Sequence, residues 1–301
     1  ATLAVAQSGR TLMAAAQFAL DPRPTVYIVS GEDAADRAAR TLAGYVGLEH
    51  VARYPERRDY PWSSKAVPDE AVIASRCAAL ARISAGEPCI MVASARSLLR
   101  CVPPAGNAYF RSLRLAVGEE TPYEDVPRRL VGMGYASSDA ADRTGLFHVH
   151  GDAVDVYPAQ ATSPVRIEFF GDEIDRIRRM VPSTGQTIGD LDEVGISPCR
   201  ELALTEETVH NLHVALYQPA QDDTELAALL DLVDAGVATP ELDRYLPIMY
   251  GSTSTPLAHM HERALVVLAE PRSLFDDCSR AYEEYEARAM EAGVRRLDGL
   301  F

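Results

Sequence analysis

The chain is nearly devoid of lysine: Lys65 is the only one, and arginine makes up the rest of the 29 basic side chains. Such a skew is what a GC-rich genome produces, and it assigns no function. Paired cysteines are missing too. Cys77, Cys89, Cys101, Cys199 and Cys278 are odd in number, widely scattered, and form no C-x-x-C. That excludes a disulfide framework and fits reduced thiols in a cytosolic protein. No apolar run approaches the ~20 residues of a membrane-spanning helix. The segment from Ala1 to Ala19 has neither the basic start nor the cleavage-type end of a signal peptide. Positive charge is in short supply: 29 Lys and Arg face 44 Asp and Glu, a net charge of −15. That balance opposes non-specific capture of nucleic acid, which needs cations to displace counterions from phosphates. The chain opens without Met, directly on an apolar segment. It is therefore expected to be a piece of a longer protein.

Apolar material, at 47% of 301 residues, suffices for two or three domains. The first hundred residues alternate strand and helix. Thr25 to Ser30 and Cys89 to Ala93 are continuous apolar runs, as in buried parallel strands. Glu32 to Val46 and Val67 to Ile83 carry apolar residues at helical spacing and are predicted helices. Val102 to Asn107, with paired prolines and a glycine, marks a boundary. Beyond it come one helix (Tyr123 to Met133) and a meander of short strands to about Met180. From Thr205 helices dominate, apart from the buried strand Leu265 to Leu268, and Phe275 to Ala292 is a long closing helix. The predicted domains are residues 1–107, 108–199 and 200–301, the first and third packing together.

The most informative stretch is Gly145 to Met180. In Val165 to Phe170 the period of two puts Val165, Ile167 and Phe169 on one face and Arg166, Glu168 and Phe170 on the other. Arg and Glu mark the solvent face, so Phe170 is a large apolar ring displayed beside a guanidinium. That is the composition of a binding hot spot; the alternative is that another loop or domain covers the ring. His148 and His150 alternate on a preceding strand, and Asp155 and Tyr157 point outward from the next. If the strands pair in sequence, His148, His150, Arg166 and Phe170 share one outer surface. Gly171-Asp172 forms a two-residue hairpin turn after Phe170, and Arg176, Arg178 and Arg179 add a basic fringe on the return strand.

A second candidate lies near the start. Ser8-Gly9-Arg10-Thr11 has the outline of the end of a phosphate-binding loop, G-x-x-x-x-G-K-[ST]. Ala4 stands at the first glycine, Arg10 at the lysine, and Thr11 alone keeps the type needed for magnesium. A chance S-G-R-T before a helix explains the motif equally well. In Leu265 to Glu270 the strand that carries a metal-binding acid in nucleotide hydrolases has Ala269 in the acid's place, followed by Glu270 and Pro271. With lysine and acid both missing, nucleotide hydrolysis is rejected. The pairs His210/His213 and His259/His261 suggest zinc only weakly, because no Cys or acid completes a ligand spacing; no metal is assigned.

These residues carry a family likeness. The run R-I-E-F-F-G-D-E-I-D-R-I-R-R (Arg166 to Arg179), preceded by G-x-F-x-V-x-G-D-x-x-D-V-Y-P (Gly145 to Pro158), resembles the second domain of the repair protein UvrB. It also resembles the equivalent module of the bacterial transcription-repair coupling factors. The flanking parts look like domains 1A and 1B of that module. UvrB keeps a working phosphate loop and a long aromatic hairpin; here the loop is degraded, and Tyr54 to Trp62 leads into the Val67 helix with no room for the hairpin. Both losses favour the coupling-factor version. The resemblance implies an α/β fold: a P-loop-NTPase-like parallel-sheet domain (1A/1B) with an inserted α+β antiparallel-sheet domain. It implies docking of UvrA through Arg166 and Phe170, with Glu168 and Arg176 beside them. A third family contact, an Arg, falls on His150, which cannot make the planar bidentate fork. No cofactor is implied for this part of the protein, and a cytoplasmic location is. RNA polymerase and DNA would be engaged by parts beyond Phe301. The alternative is a UvrB-type repair protein with its own ATP site.

Overall fold

The computed structural model of the chain describes residues 2–62, 69–105, 110–294 and 299–301. Lys65, Val67 at the start of the second predicted helix, and Gly106 and Asn107 of the expected boundary lie outside these. In chain order the first elements are α1 (Arg10–Leu20), β1 (Thr25–Val29), α2 (Glu32–Val46), β2 (Val51–Tyr54), α3 (Glu70–Ala85) and β3 (Ile90–Ser94). Next come β4 (Leu113–Ala116), α4 (Asp125–Gly132), β5 (Ala136–Ser137), β6 (Leu146–His150), β7 (Ala153–Val156), β8 (Val165–Phe170), β9 (Glu173–Met180), β10 (Thr187–Leu191) and β11 (Glu193–Ile196). The chain closes with α5 (Glu206–Ala220), α6 (Thr224–Asp234), α7 (Leu246–Tyr250), β12 (Leu265–Leu268) and α8 (Pro271–Glu291).

Two compact units result: residues 1–72, 82–107 and 240–301 in one, and residues 73–81 and 108–239 in the other. Helices α5 and α6 pack on each other and fall in the second unit, so this division runs at 239/240 where the sequence reading put a break at 199/200.

The first unit is built on a parallel sheet of order β12-β1-β3-β2. Every residue of β1 and β3 is buried, which explains their unbroken apolar sequences. Phe18 of α1 and Ala35 and Leu42 of α2 close over Tyr27, Ile90 and Val92, alternate residues of one sheet face. Strand β2 escapes the sequence pattern because it is half-buried, and Arg53 within it is held by Glu32 and Asp36. Helix α3 starts at Asp69, whose carboxylate accepts from the Ala71 and Val72 amides, and stops at Gly86 in the left-handed conformation (φ 78°). It is not amphipathic. Its residues 73–81 fall in the second unit, and all of them but Ser75 are buried. Buried charges in this unit are matched: Arg57 pairs with Asp59 (2.5 Å) and Asp243 (2.6 Å), and Arg100 reaches the same two carboxylates.

The second unit holds a six-stranded sheet of order β10-β9-β8-β7-β6-β5 and a small antiparallel pair, β11-β4. Hydrogen bonding in the larger sheet is antiparallel except between β5 and β6. Leu113, Val126, Phe147, Ile167, Phe169 and Ile177 form its core. Burial of each such side chain is worth about 1.5–3 kcal/mol. Deep in the same unit, Arg76 and Glu201 meet at 2.7 Å.

Candidate protein-docking face

Strand β8 alternates buried and partly exposed from Val165 to Phe169, as period two requires. At its end Phe170 is 81% exposed, and Glu173 stands opposite across the turn. That turn is Gly171-Asp172. Gly171 has φ 67°, the left-handed region that only glycine takes freely.

Register fixes which side chains share the outer face. His148, Asp155, Arg166, Arg178 and Asp190 form one row across five adjacent strands. The next row contains His150, Ala153, Glu168 and Arg176. A bulge leaves Asp175 without a partner, after which Ile174 returns to the core opposite Phe169. The sequence expectation that His148, His150, Arg166 and Phe170 lie on one surface agrees with this register.

The charges are tied together inside the face. Arg166 donates from Nε and Nη2 to the two carboxylate oxygens of Asp155, each at 2.7 Å. That fork, together with the nearby Glu168, holds the Arg166 pKa above its ordinary value against partial burial. His150 Nε2 donates to Asp155 Oδ2 at 3.2 Å, and its ring stacks on His148 with centroids 5.2 Å apart. His148 in turn donates from Nδ1 to the Ser138 carbonyl at 2.8 Å. Arg178 donates to Glu168 and, at 3.1 Å, to Thr187 Oγ1. Arg176 is exposed on the return strand. Asp155, read from the sequence as merely outward-pointing, is only 5% exposed, because the Arg166 and His150 side chains lie over it. Its role as a shared anchor was missed. The available signal was an acid directly flanked by Val154 and Val156 on a strand next to one that carries Arg.

In the first unit, the degraded nucleotide motif has its own geometry. Ala4 is exposed, and Gln7–Gly9 form a turn of 3-10 helix leading into α1. The Gly9 amide is bonded to the Ala6 carbonyl at 2.9 Å and the Arg10 amide to the Gln7 carbonyl. Arg10 makes an ion pair with Glu270. Glu270 has φ 60°, the sole left-handed non-glycine among the described residues. Thr11, Tyr27, Ser30, Arg37, Ala269 and Glu270 border a cleft of ≈ 340 Å³ there.

Two of the four histidines weighed as weak zinc candidates have other partners. His213 meets Asp234 at 2.7 Å, and His259 donates to the Pro103 carbonyl at 2.8 Å. Among the described residues no three His, Cys, Asp or Glu side chains converge as a ligand set. Nor is any described helix long and apolar enough to cross a membrane.

Comparison with known proteins joins these observations. The sequence model of the UvrB interaction domain matches residues 113–202, a stretch that includes the whole outer face. The chain is 36% identical over 192 residues to the transcription-repair-coupling factor of Myxococcus xanthus, covering 62% of this chain. With the Mycobacterium tuberculosis transcription-repair-coupling factor it shares 31% identity over 262 residues, 83% of this chain. The chain belongs to the UvrB-homology modules of transcription-repair coupling factors. UvrABC system protein B of Bifidobacterium longum is also similar, at 40% identity over 120 residues, 40% of this chain and 17% of that protein. The chain spans only 16% and 21% of the two coupling factors. Within this UvrB-homology module, β8 and its hairpin lie inside the matched domain, whereas the Arg10–Glu270 pair lies outside it.

Proposed function

We propose that the chain is a non-catalytic docking module that binds UvrA through the outer face of β6–β9. In the longer protein it would recruit nucleotide excision repair to a stalled RNA polymerase. The observation that carries the reading is Phe170: a phenyl ring 81% exposed at the end of β8, on the same face of that strand as the Asp155-bound Arg166, inside a UvrB interaction domain. A monomer gains nothing from displaying such a ring, whereas an interface uses it as an anchor. Arg166, Glu168, Arg176 and His150 supply the surrounding polar rim. His150 stands where the family resemblance expects an Arg, and its hydrogen bond to Asp155 turns it inward.

The first unit is read as a P-loop-like domain that has lost its nucleotide chemistry. Supporting this, Arg10 is engaged by Glu270, and the loop amides of Gly9 and Arg10 are bonded to backbone carbonyls. Gly9 and Thr11 alone would remain of the phosphate machinery, with Ala4, Ala269 and Glu270 in unsuitable places. No cofactor is needed for docking. RNA polymerase and DNA are assigned to parts of the longer protein outside this chain, and the location is assigned to the cytoplasm.

A titration of the chain with UvrA, run with wild type, Arg166→Ala and Phe170→Ala, tests the docking reading. Binding by the wild type that both variants lose supports it. Equal affinity in all three, with folding intact, removes the site.

A further inference from the structure

Arg166 is not a free surface cation. Both its Nε and Nη2 edges are occupied by one carboxylate, that of Asp155, in a bidentate fork of 2.7 Å bonds. The carboxylate lies in β7, directly opposite Arg166 in register, and is 5% exposed. Its Oδ2 also accepts from His150 in β6. A single buried acid therefore ties together three adjacent strands of the outer face. Arg178, the other neighbour of Arg166 in the row, carries like charge and is drawn toward Glu168 instead. An Arg free in water samples many rotamers and loses that freedom on binding; one clamped through Nε and Nη2 has lost much of it already.

We infer that Asp155 is a positioning residue of the docking face: it holds the Arg166 guanidinium, and through the shared oxygen the His150 imidazole, in the conformation a partner meets. The inference rests on the docking reading, and it assigns the pre-organisation of that face to an acid the partner does not touch. The remaining edge and the plane of the Arg166 guanidinium are what this face presents, on the same side of β8 as Phe170. The acid serves as a strut rather than as a contact.

The test is a double-mutant cycle on UvrA binding with Asp155→Asn, Arg166→Ala and the double variant. It is paired with the side-chain ¹⁵N–¹H signal of Arg166 Nε in the free chain, identified by its loss in Arg166→Ala. Asparagine keeps the shape of the carboxylate but not its charge or its second acceptor oxygen. Asp155→Asn should weaken binding about five- to tenfold where Arg166 is present, the scale of one immobilised side chain. It should have no further effect in the Arg166→Ala background. The Nε signal should be distinct in the wild type and should collapse onto the bulk arginine position in Asp155→Asn. Equal losses in both backgrounds would show a merely structural acid and overturn the inference, as would an Nε signal that Asp155→Asn does not move. No binding by the wild type would remove the docking reading itself, while the Nε signal would still report whether the clamp exists.

Discussion

Truncating Phe170 to Ala separates docking from folding more cleanly than any other change. The ring packs on almost nothing within its own chain, being 81% exposed, so its removal should leave stability within about 0.5 kcal/mol, as for ordinary surface substitutions. Its effect on an interface is much larger. A phenylalanine can bury on the order of 150–250 Å². With 81% of that available in the free chain, and ~25 cal/mol per Å², full coverage by a partner is worth about 3–5 kcal/mol at most. The methyl retained by alanine and imperfect coverage reduce this, so a loss of about 2 kcal/mol or more is expected, roughly 30-fold in Kd. Calorimetric titration against UvrA measures the loss, and thermal melting of the same samples checks the fold. An unchanged Kd with an unchanged melting temperature would refute the idea that this ring is an anchor.

Other consequences follow from the same geometry. Arg166→Ala leaves the Asp155 carboxylate buried without its fork, so it should cost about 1–3 kcal/mol of stability in urea unfolding as well as weaken docking. Asp243→Ala takes one acid from the buried Arg57 and Arg100 pair and should destabilise the first unit by about 3 kcal/mol. Burial alone would raise the Asp59 pKa, but the Arg57 hydrogen bonds and the Arg100 charge outweigh it and lower the pKa below 3.8. The stabilising contribution of a depressed carboxyl is present above its unfolded pKa and lost as pH falls through the folded one. Acid unfolding of wild type should therefore steepen below about pH 4, and Asp59→Asn should flatten that part of the stability curve. Nucleotide titration should detect no tight ATP binding, and Arg10→Lys alone should not create it, because Ala4 and Ala269 remain.

The legible parts of the sequence were those in which one periodicity dominates. Thr25–Val29 and Ile90–Ser94 are apolar throughout because they are buried on both faces, and α2 runs over the span its alanine and leucine spacing gives. Phe170 was legible because an apolar ring breaks an otherwise strict alternation. Strand β2 was not, since its Arg53 sits half-buried on Glu32 and Asp36 and blurs the pattern. The outer-face register could be read, but its energetics could not. By alternation Asp155 falls on the solvent face, and the neighbouring strands show it lying beneath Arg166 and His150. Likewise nothing in the run from Leu265 to Glu270 indicates that Glu270 turns left-handed and meets Arg10. Such long-range pairings have no local signature.

Photo-crosslinking with p-benzoylphenylalanine at position 170 tests the docking face most directly, with the same group at the exposed Tyr217 of α5 as control. The account predicts a covalent adduct with UvrA from position 170 and none from position 217. An adduct formed only from position 217 would contradict it.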